Sequence, residues 1–196
     1  MCESSPKYTP YPASGAKHKL YEKEAEMSLF VVLGYDIYMK LSSEVLRKHK
    51  GVSFTGVGTV FICHDGNGKF LMSKRSANTR DEKGRWETPG GGLKWGFTAE
   101  DNIRREVKEE LCADTQAIEF IGYRDVFREK EDGTKTHWLM LDFAVLVDPK
   151  QVKIGEPEQC DEIGWFTLTN QPTPLHSQHK KLLEKYNEHF RHLGIK

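Results

Sequence analysis

Three glutamates near the middle of the chain, Glu106, Glu109 and Glu110, have a spacing that could do chemistry. On a helix, at about 100° per residue, they fall within an arc of about 100°. Positions i, i+3 and i+4 are surface neighbours. Ile103, Val107 and Leu111 form an adjacent apolar arc, which sets the carboxylates beside the buried edge of the helix. Like charges held this close repel one another unless a cation sits among them. A hard divalent ion takes oxygen ligands and suits such a group, with Mg2+ the first choice and Mn2+ the alternative. Acidic clusters on solvated helix faces are also common, so the carboxylates alone leave both readings open. The run Pro89-Gly90-Gly91-Gly92 just upstream favours a site. Glycines let the backbone approach a ligand and offer a carbonyl to a metal.

The elements that must position these groups can be read around them. Thr98 is a good N-cap for a helix running to Leu111, with Asp101 three residues later as a variant capping box. Glu100 and Asp101 suit the positive end of the helix dipole. Ahead of the glycines, 57–63 is a β-rich run and 64–69 is a turn. Residues 70–75 read as the returning strand, followed by a polar loop over 76–85. Further strands are predicted at 117–127, 137–147 and 163–168. A last amphipathic helix is predicted over about 175–192, with Leu175, Leu182, Leu183, Tyr186 and Phe190 as its apolar stripe. Strands mixed with a few helices mean an α/β (α+β) fold. Residues 1–16 look like a loose tail, and 17–50 have mixed helical character with a short helix at 42–50. The change in character at Gly51 divides the chain into an N-terminal extension, 1–50, partly disordered or helical, and a domain, 51–196.

The chain has 196 residues, enough to bury a real core, with 29 basic and 29 acidic side chains. Zero net charge argues against non-specific nucleic-acid binding, which usually needs a basic excess. It does not exclude a small anionic ligand at one local site. No segment reaches the roughly 18 apolar residues of a membrane helix, and no secretory signal is evident. Cys2, Cys63, Cys112 and Cys160 are scattered, so a zinc knuckle or redox motif is unsupported. Reduced thiols in a cytoplasmic protein are the expectation.

The stretch from Gly91 resembles the Nudix box, G-x5-E-x7-R-E-U-x-E-E-x-G-U, where U is aliphatic. Gly91 matches its first glycine, and Arg105, Glu106, Val107, Glu109 and Glu110 match its central signature. Gly84-x-Trp86 with Pro89-Gly90-Gly91 resembles the usual lead-in. Glu156 to Gln159 ahead of Trp165-Phe166 is similar to a segment of MutT-like nucleotide hydrolases. The resemblance covers roughly 52–190 and implies an α/β/α sandwich with a mixed sheet, acting as a pyrophosphohydrolase on a nucleoside diphosphate linked to another moiety. It implies Glu106 and Glu110 as main metal ligands, Glu109 in support, the Gly90 carbonyl in the metal shell, and Arg105 orienting the carboxylates. Two positions depart from the pattern. Phe97 stands where the box has Glu, which leaves the partner of Arg105 open, and Cys112 replaces a glycine at the helix end.

The substrate is less legible. Arg75, Gly91, Gly92, Trp95 and Glu158 are the candidate substrate contacts, and Glu158, Asp161 and Glu162 the candidate bases. Trp138 and Trp165 are expected in core or rim packing, and His176, His179, His189 and His192 on an exposed helix face. A nucleoside triphosphate or modified nucleotide is the first reading. Nucleotide sugars and ADP-ribose are alternatives, although the proline that ADP-ribose hydrolases often carry after the box is missing. A fold that binds nucleotide with weak or no turnover is the other class, favoured by Phe97. The partner is a small-molecule nucleotide, with neither nucleic acid nor membrane, and a homodimer is left open.

Overall fold

The computed structural model describes residues 43–130 and 132–195. The expected N-terminal extension lies outside the described residues as far as position 42. Its last turn is seen as α1, Ser43–His49. Beyond α1, the Lys50 ammonium donates to the Leu93 carbonyl at 3.0 Å, which ties this stretch to the domain.

One mixed sheet organises the domain, with β1 (Gly56–His64) at its centre. β1 runs parallel to β6 (Lys135–Val147) over nine paired positions. β6 pairs antiparallel with β5 (Thr115–Glu129), the long edge strand. On the other side β1 meets β2 (Phe70–Arg75), which carries β3 (Trp86–Glu87) and β7 (Cys160–Phe166). The three-residue strand β4 (Gly90–Gly92) also pairs with β1.

Side-chain alternation along β1 feeds two cores. Phe61 and Cys63 point to one face, where they pack with Ile103, Val107 and Leu111 of α2 (Ala99–Leu111) and with Phe143 and Val145. Ile62 points to the other, against Leu182, Tyr186 and Phe190 of α3 (His179–His192). Helices therefore cover both faces, as the expected α/β/α sandwich requires.

α2 begins where Thr98 predicts. Its hydroxyl accepts from the Asp101 N–H at 3.1 Å and donates to the Asp101 carboxylate at 2.7 Å. The helix ends at Cys112, in the left-handed region at φ 54°, the conformation that favours glycine at this place. Cys63 and Cys160 are free thiols, whereas Cys112 is disulfide-bonded, against the expectation of reduced cysteines throughout.

Three expectations need correction. α3 starts four residues later than predicted. The Trp86 N–H donates to the Pro174 carbonyl at 2.9 Å, and the His176 N–H to the Trp86 carbonyl at 2.8 Å. Backbone committed to β3 cannot also make helix. His176 and His179 are accordingly not on an exposed helix face, and His179 is only 3 % exposed. β3 and β4 are strands the sequence does not predict, because segments of two or three residues, all glycine in β4, carry no visible alternation.

Candidate functional site

The approach of β4 to α2 creates the site. The backbone at Gly91 lies directly on the Glu106 side chain, so that a β-carbon there would stand 2.7 Å from Glu106 Cδ. Gly90 is equally confined, against the Val60 backbone of β1 at 2.9 Å. Only glycine permits this contact between a strand and a carboxylate-bearing helix.

Behind Glu106, the buried Asn102 fastens the helix. Its amide donates to Thr59 Oγ1 at 2.8 Å, and its carbonyl oxygen accepts from the Lys94 N–H at 3.2 Å and from Arg105 Nη2 at 3.0 Å. Sequence reasoning missed Asn102, although a polar residue four before Glu106 shares that face. Arg105 donates from Nη2 to Glu106 and from Nη1 to Glu109. Its guanidinium carbon lies 5.8 Å from the centre of the Phe97 ring. Its Nε is buried with no hydrogen-bond partner.

Burial holds the Glu110 carboxyl well above the usual carboxylate range, and the nearby charges of Glu106, Glu87 and Glu156 add to the effect. Glu106 is also raised, first by burial, with Arg105 opposing. Each of the two carboxyls thus holds its proton more tightly than a free carboxylate does. Glu156 reaches this group because its loop docks on the end of α2. The Lys153 N–H donates to the Leu111 carbonyl at 2.9 Å and the Gly155 N–H to the Glu110 carbonyl at 2.8 Å. A β-carbon at Gly155 would stand 2.9 Å from the Glu109 carbonyl carbon. The acidic group thus holds Glu87 and Glu156 besides the three glutamates of the helix. The donors gathered here are carboxylate oxygens, the type a hard divalent cation takes, although among the described residues no group of three or more is arranged around a metal position.

A cleft of about 220 Å³ opens against β4. Gly90, Gly91 and Gly92 form one wall and Val60, Val126, Trp138, Met140 and Leu182 its apolar part. Trp138 and Met140 lie flat across β1 because Gly56 and Gly58 face them. β-carbons there would stand 2.6 Å and 2.8 Å from the two side chains. Trp138 is therefore a wall of the cleft as well as a packing residue.

The polar wall is built from paired groups. Arg75 donates to Glu87 at 2.6 Å and to the Asp81 carboxylate and carbonyl, each at 2.9 Å. It therefore lines the cleft with its donors committed, and it positions Glu87. Arg124 makes two bonds of 2.8 Å to buried Asp142, which also accepts from Tyr186 Oη at 2.8 Å. His176 Nδ1 accepts the Gln178 N–H at 3.1 Å, so its hydrogen lies on Nε2, which is 3.8 Å from Glu87. Burial pushes His176 and His179 down to about 4, so both rings are neutral near pH 7.

Of the substrate contacts read from the sequence, Gly91, Gly92 and Arg75 lie on the cleft and two do not. Trp95 is 97 % exposed, carried outward by the turn in which the Phe97 N–H bonds the Lys94 carbonyl. Glu158 instead bonds Asn78 through its carboxylate at 3.3 Å and Ser76 through its carbonyl at 2.7 Å. Glu162 pairs with Lys74 at 3.8 Å. Within that later segment, Glu156 is the acid coupled to the helix glutamates.

The chain is similar to known proteins in sequence and fold. The family model described as the NUDIX domain matches residues 54–186. A nucleoside triphosphatase NudI of Enterobacter sp. (strain 638) is 33 % identical over 107 residues, 52 % of this chain and 74 % of that protein. An ADP-ribose pyrophosphatase of Methanocaldococcus jannaschii is 29 % identical over 118 residues, 60 % of this chain and 65 % of that protein. The crystal structure of a MutT NUDIX hydrolase from Burkholderia pseudomallei matches with a TM-score of 0.59 at 26 % identity, covering 67 % of this chain and 97 % of that one.

Proposed function

The chain belongs to the NUDIX family of hydrolases, and on that premise we propose that it cleaves a phosphoanhydride bond of a nucleoside triphosphate or modified nucleotide. One observation carries the reading. The glycine strand 90–92 packs on Glu106 and also lines a cleft with an apolar wall, so a single nucleotide can present its phosphates to the acidic group and its base to that wall. The relative named a nucleoside triphosphatase supports the substrate class.

In this reading Glu106, Glu109 and Glu110 hold Mg2+ (or Mn2+), with the Gly90 carbonyl in support. When bound, the ion neutralises phosphate charge and lowers the pKa of water. Arg105 and Asn102 hold the carboxylates in register. Glu156 is the acid of the later segment best placed to accept a proton from attacking water. Trp138 and Met140 offer a face to a planar base, and Arg124 is held rigid beside it by Asp142. Phosphoryl transfer draws on positioning and electrostatics of this kind.

The same reading takes the protein as cytoplasmic, acting on small nucleotides rather than nucleic acid, with a homodimer as its quaternary expectation. Among the described residues no helix is long and apolar enough to cross a membrane. A panel of nucleoside triphosphates, oxidised nucleotides, ADP-ribose and nucleotide sugars, assayed for phosphate or pyrophosphate release with and without Mg2+, tests the proposal. Mg2+-dependent cleavage of a triphosphate supports it. Preference for ADP-ribose or a nucleotide sugar replaces the substrate. Tight binding without turnover favours the nucleotide-binding reading, which Phe97 and the orphaned Arg105 Nε make specific.

A further inference from the structure

We propose that Phe97 sets the divalent-cation affinity of the acidic site by directing Arg105 onto Glu106 and Glu109, so that guanidinium and metal compete for the same carboxylates. The inference rests on the metal reading of that site. Arg105 spends both terminal nitrogens on these two glutamates. Its Nε is buried and finds no acceptor. An arginine side chain gains most when all its donors are matched, and a buried unmatched donor costs free energy. A carboxylate at position 97 would supply the missing acceptor and draw the charge toward itself. Phe97 supplies a ring face instead, 5.8 Å from the guanidinium carbon, which tolerates a cation without binding one N–H in particular. Phe97 itself supplies no carboxylate, and Arg105 serves as counter-ion to the site through Glu106 and Glu109.

The consequence is competition. Two carboxylates already neutralised by an internal cation are poorer metal ligands than free ones, and an incoming ion must either share their oxygens or displace the guanidinium. Lys94, whose ammonium lies 5.4 Å from the same ring, adds a second positive charge on this side. The site is therefore expected to bind metal more weakly than its number of carboxylates suggests, with Phe97 as a positioning residue that acts through Arg105.

The test compares wild type with Phe97→Glu and Phe97→Gln, using Mn2+ affinity measured by electron paramagnetic resonance and checking each fold by thermal melting. Changes in the groups that hold metal ligands typically move affinity by about 10- to 100-fold. Phe97→Glu is expected to tighten Mn2+ by about tenfold. Phe97→Gln, which offers Nε an acceptor without charge, should tighten it by less. In wild type, Mg2+ should also shift the Arg105 Nε–H resonance as the guanidinium is displaced. Unchanged or weaker Mn2+ binding by folded Phe97→Glu overturns the proposal. Wild type that binds no Mn2+ at all would reject the metal reading itself, a distinct outcome.

Discussion

Gly91 and Glu106 touch so closely that a β-carbon on Gly91 would stand 2.7 Å from the Glu106 carboxyl carbon. Strand and helix are therefore joined at the candidate metal site rather than merely near it. Gly91→Ala must push the carboxylate aside or lift β4 from β1. A misplacement of about 1 Å can cost about 100-fold in rate, and that loss is expected in kcat/KM. Steady-state kinetics beside a melting curve will show whether activity falls while the fold persists.

Glu110→Gln removes one of the two acids proposed as main metal ligands. Mg2+-dependent turnover should fall by about 100-fold or more, since losing even an outer partner of a metal costs about 10- to 100-fold. Full turnover in the variant would exclude Glu110 as a ligand.

The same residue gives a pH prediction. Glu110 and Glu106 have folded-state values raised above the ordinary 4.5, so the metal-free fold binds their protons more tightly than the unfolded chain. Their contribution to stability is complete below 4.5 and is lost as pH rises through the raised values. Metal-free wild type should thus lose thermal stability relative to Glu110→Gln as pH rises above 4.5. Mg2+ should restore more of it at pH 8 than at pH 5. Melting curves of both proteins with and without Mg2+ measure the difference.

His176 and His179 act in the opposite direction. Their folded values, about 4, lie below the ordinary 6.5. Between these limits the unfolded chain binds more protons, so stability present above 6.5 is lost as pH falls toward 4. Replacing His179 by Gln should flatten that acid limb, as followed by circular dichroism between pH 7 and 4. An unchanged slope would show that the ring is not protonated on unfolding.

Trp138→Ala tests the cleft. If the ring stacks on a base, a stacking contribution of about 1 kcal/mol implies a KM raised severalfold to about tenfold with kcat largely kept. Trp95→Ala, on a side chain standing in solvent, should leave KM unchanged.

The sequence by itself determined the local parts of this protein. Helical periodicity grouped Glu106, Glu109 and Glu110, Thr98 announced the start of their helix, and β-rich runs marked β1, β2, β5 and β6. These signals are local because each depends on residues a few positions apart. Pairing across the chain was decided only in the tertiary structure. Gly155 docks on the end of α2 and so makes Glu156, not Glu158, the acid beside the helix glutamates. Residues 174–176 give their backbone to Trp86 and so bury His176, and Gly56 and Gly58 let Trp138 and Met140 lie flat as the wall of a cleft. Spacing along one element fixes which side chains share a face. Which faces meet depends on close approaches between segments tens of residues apart, where a missing β-carbon counts as much as any charged group.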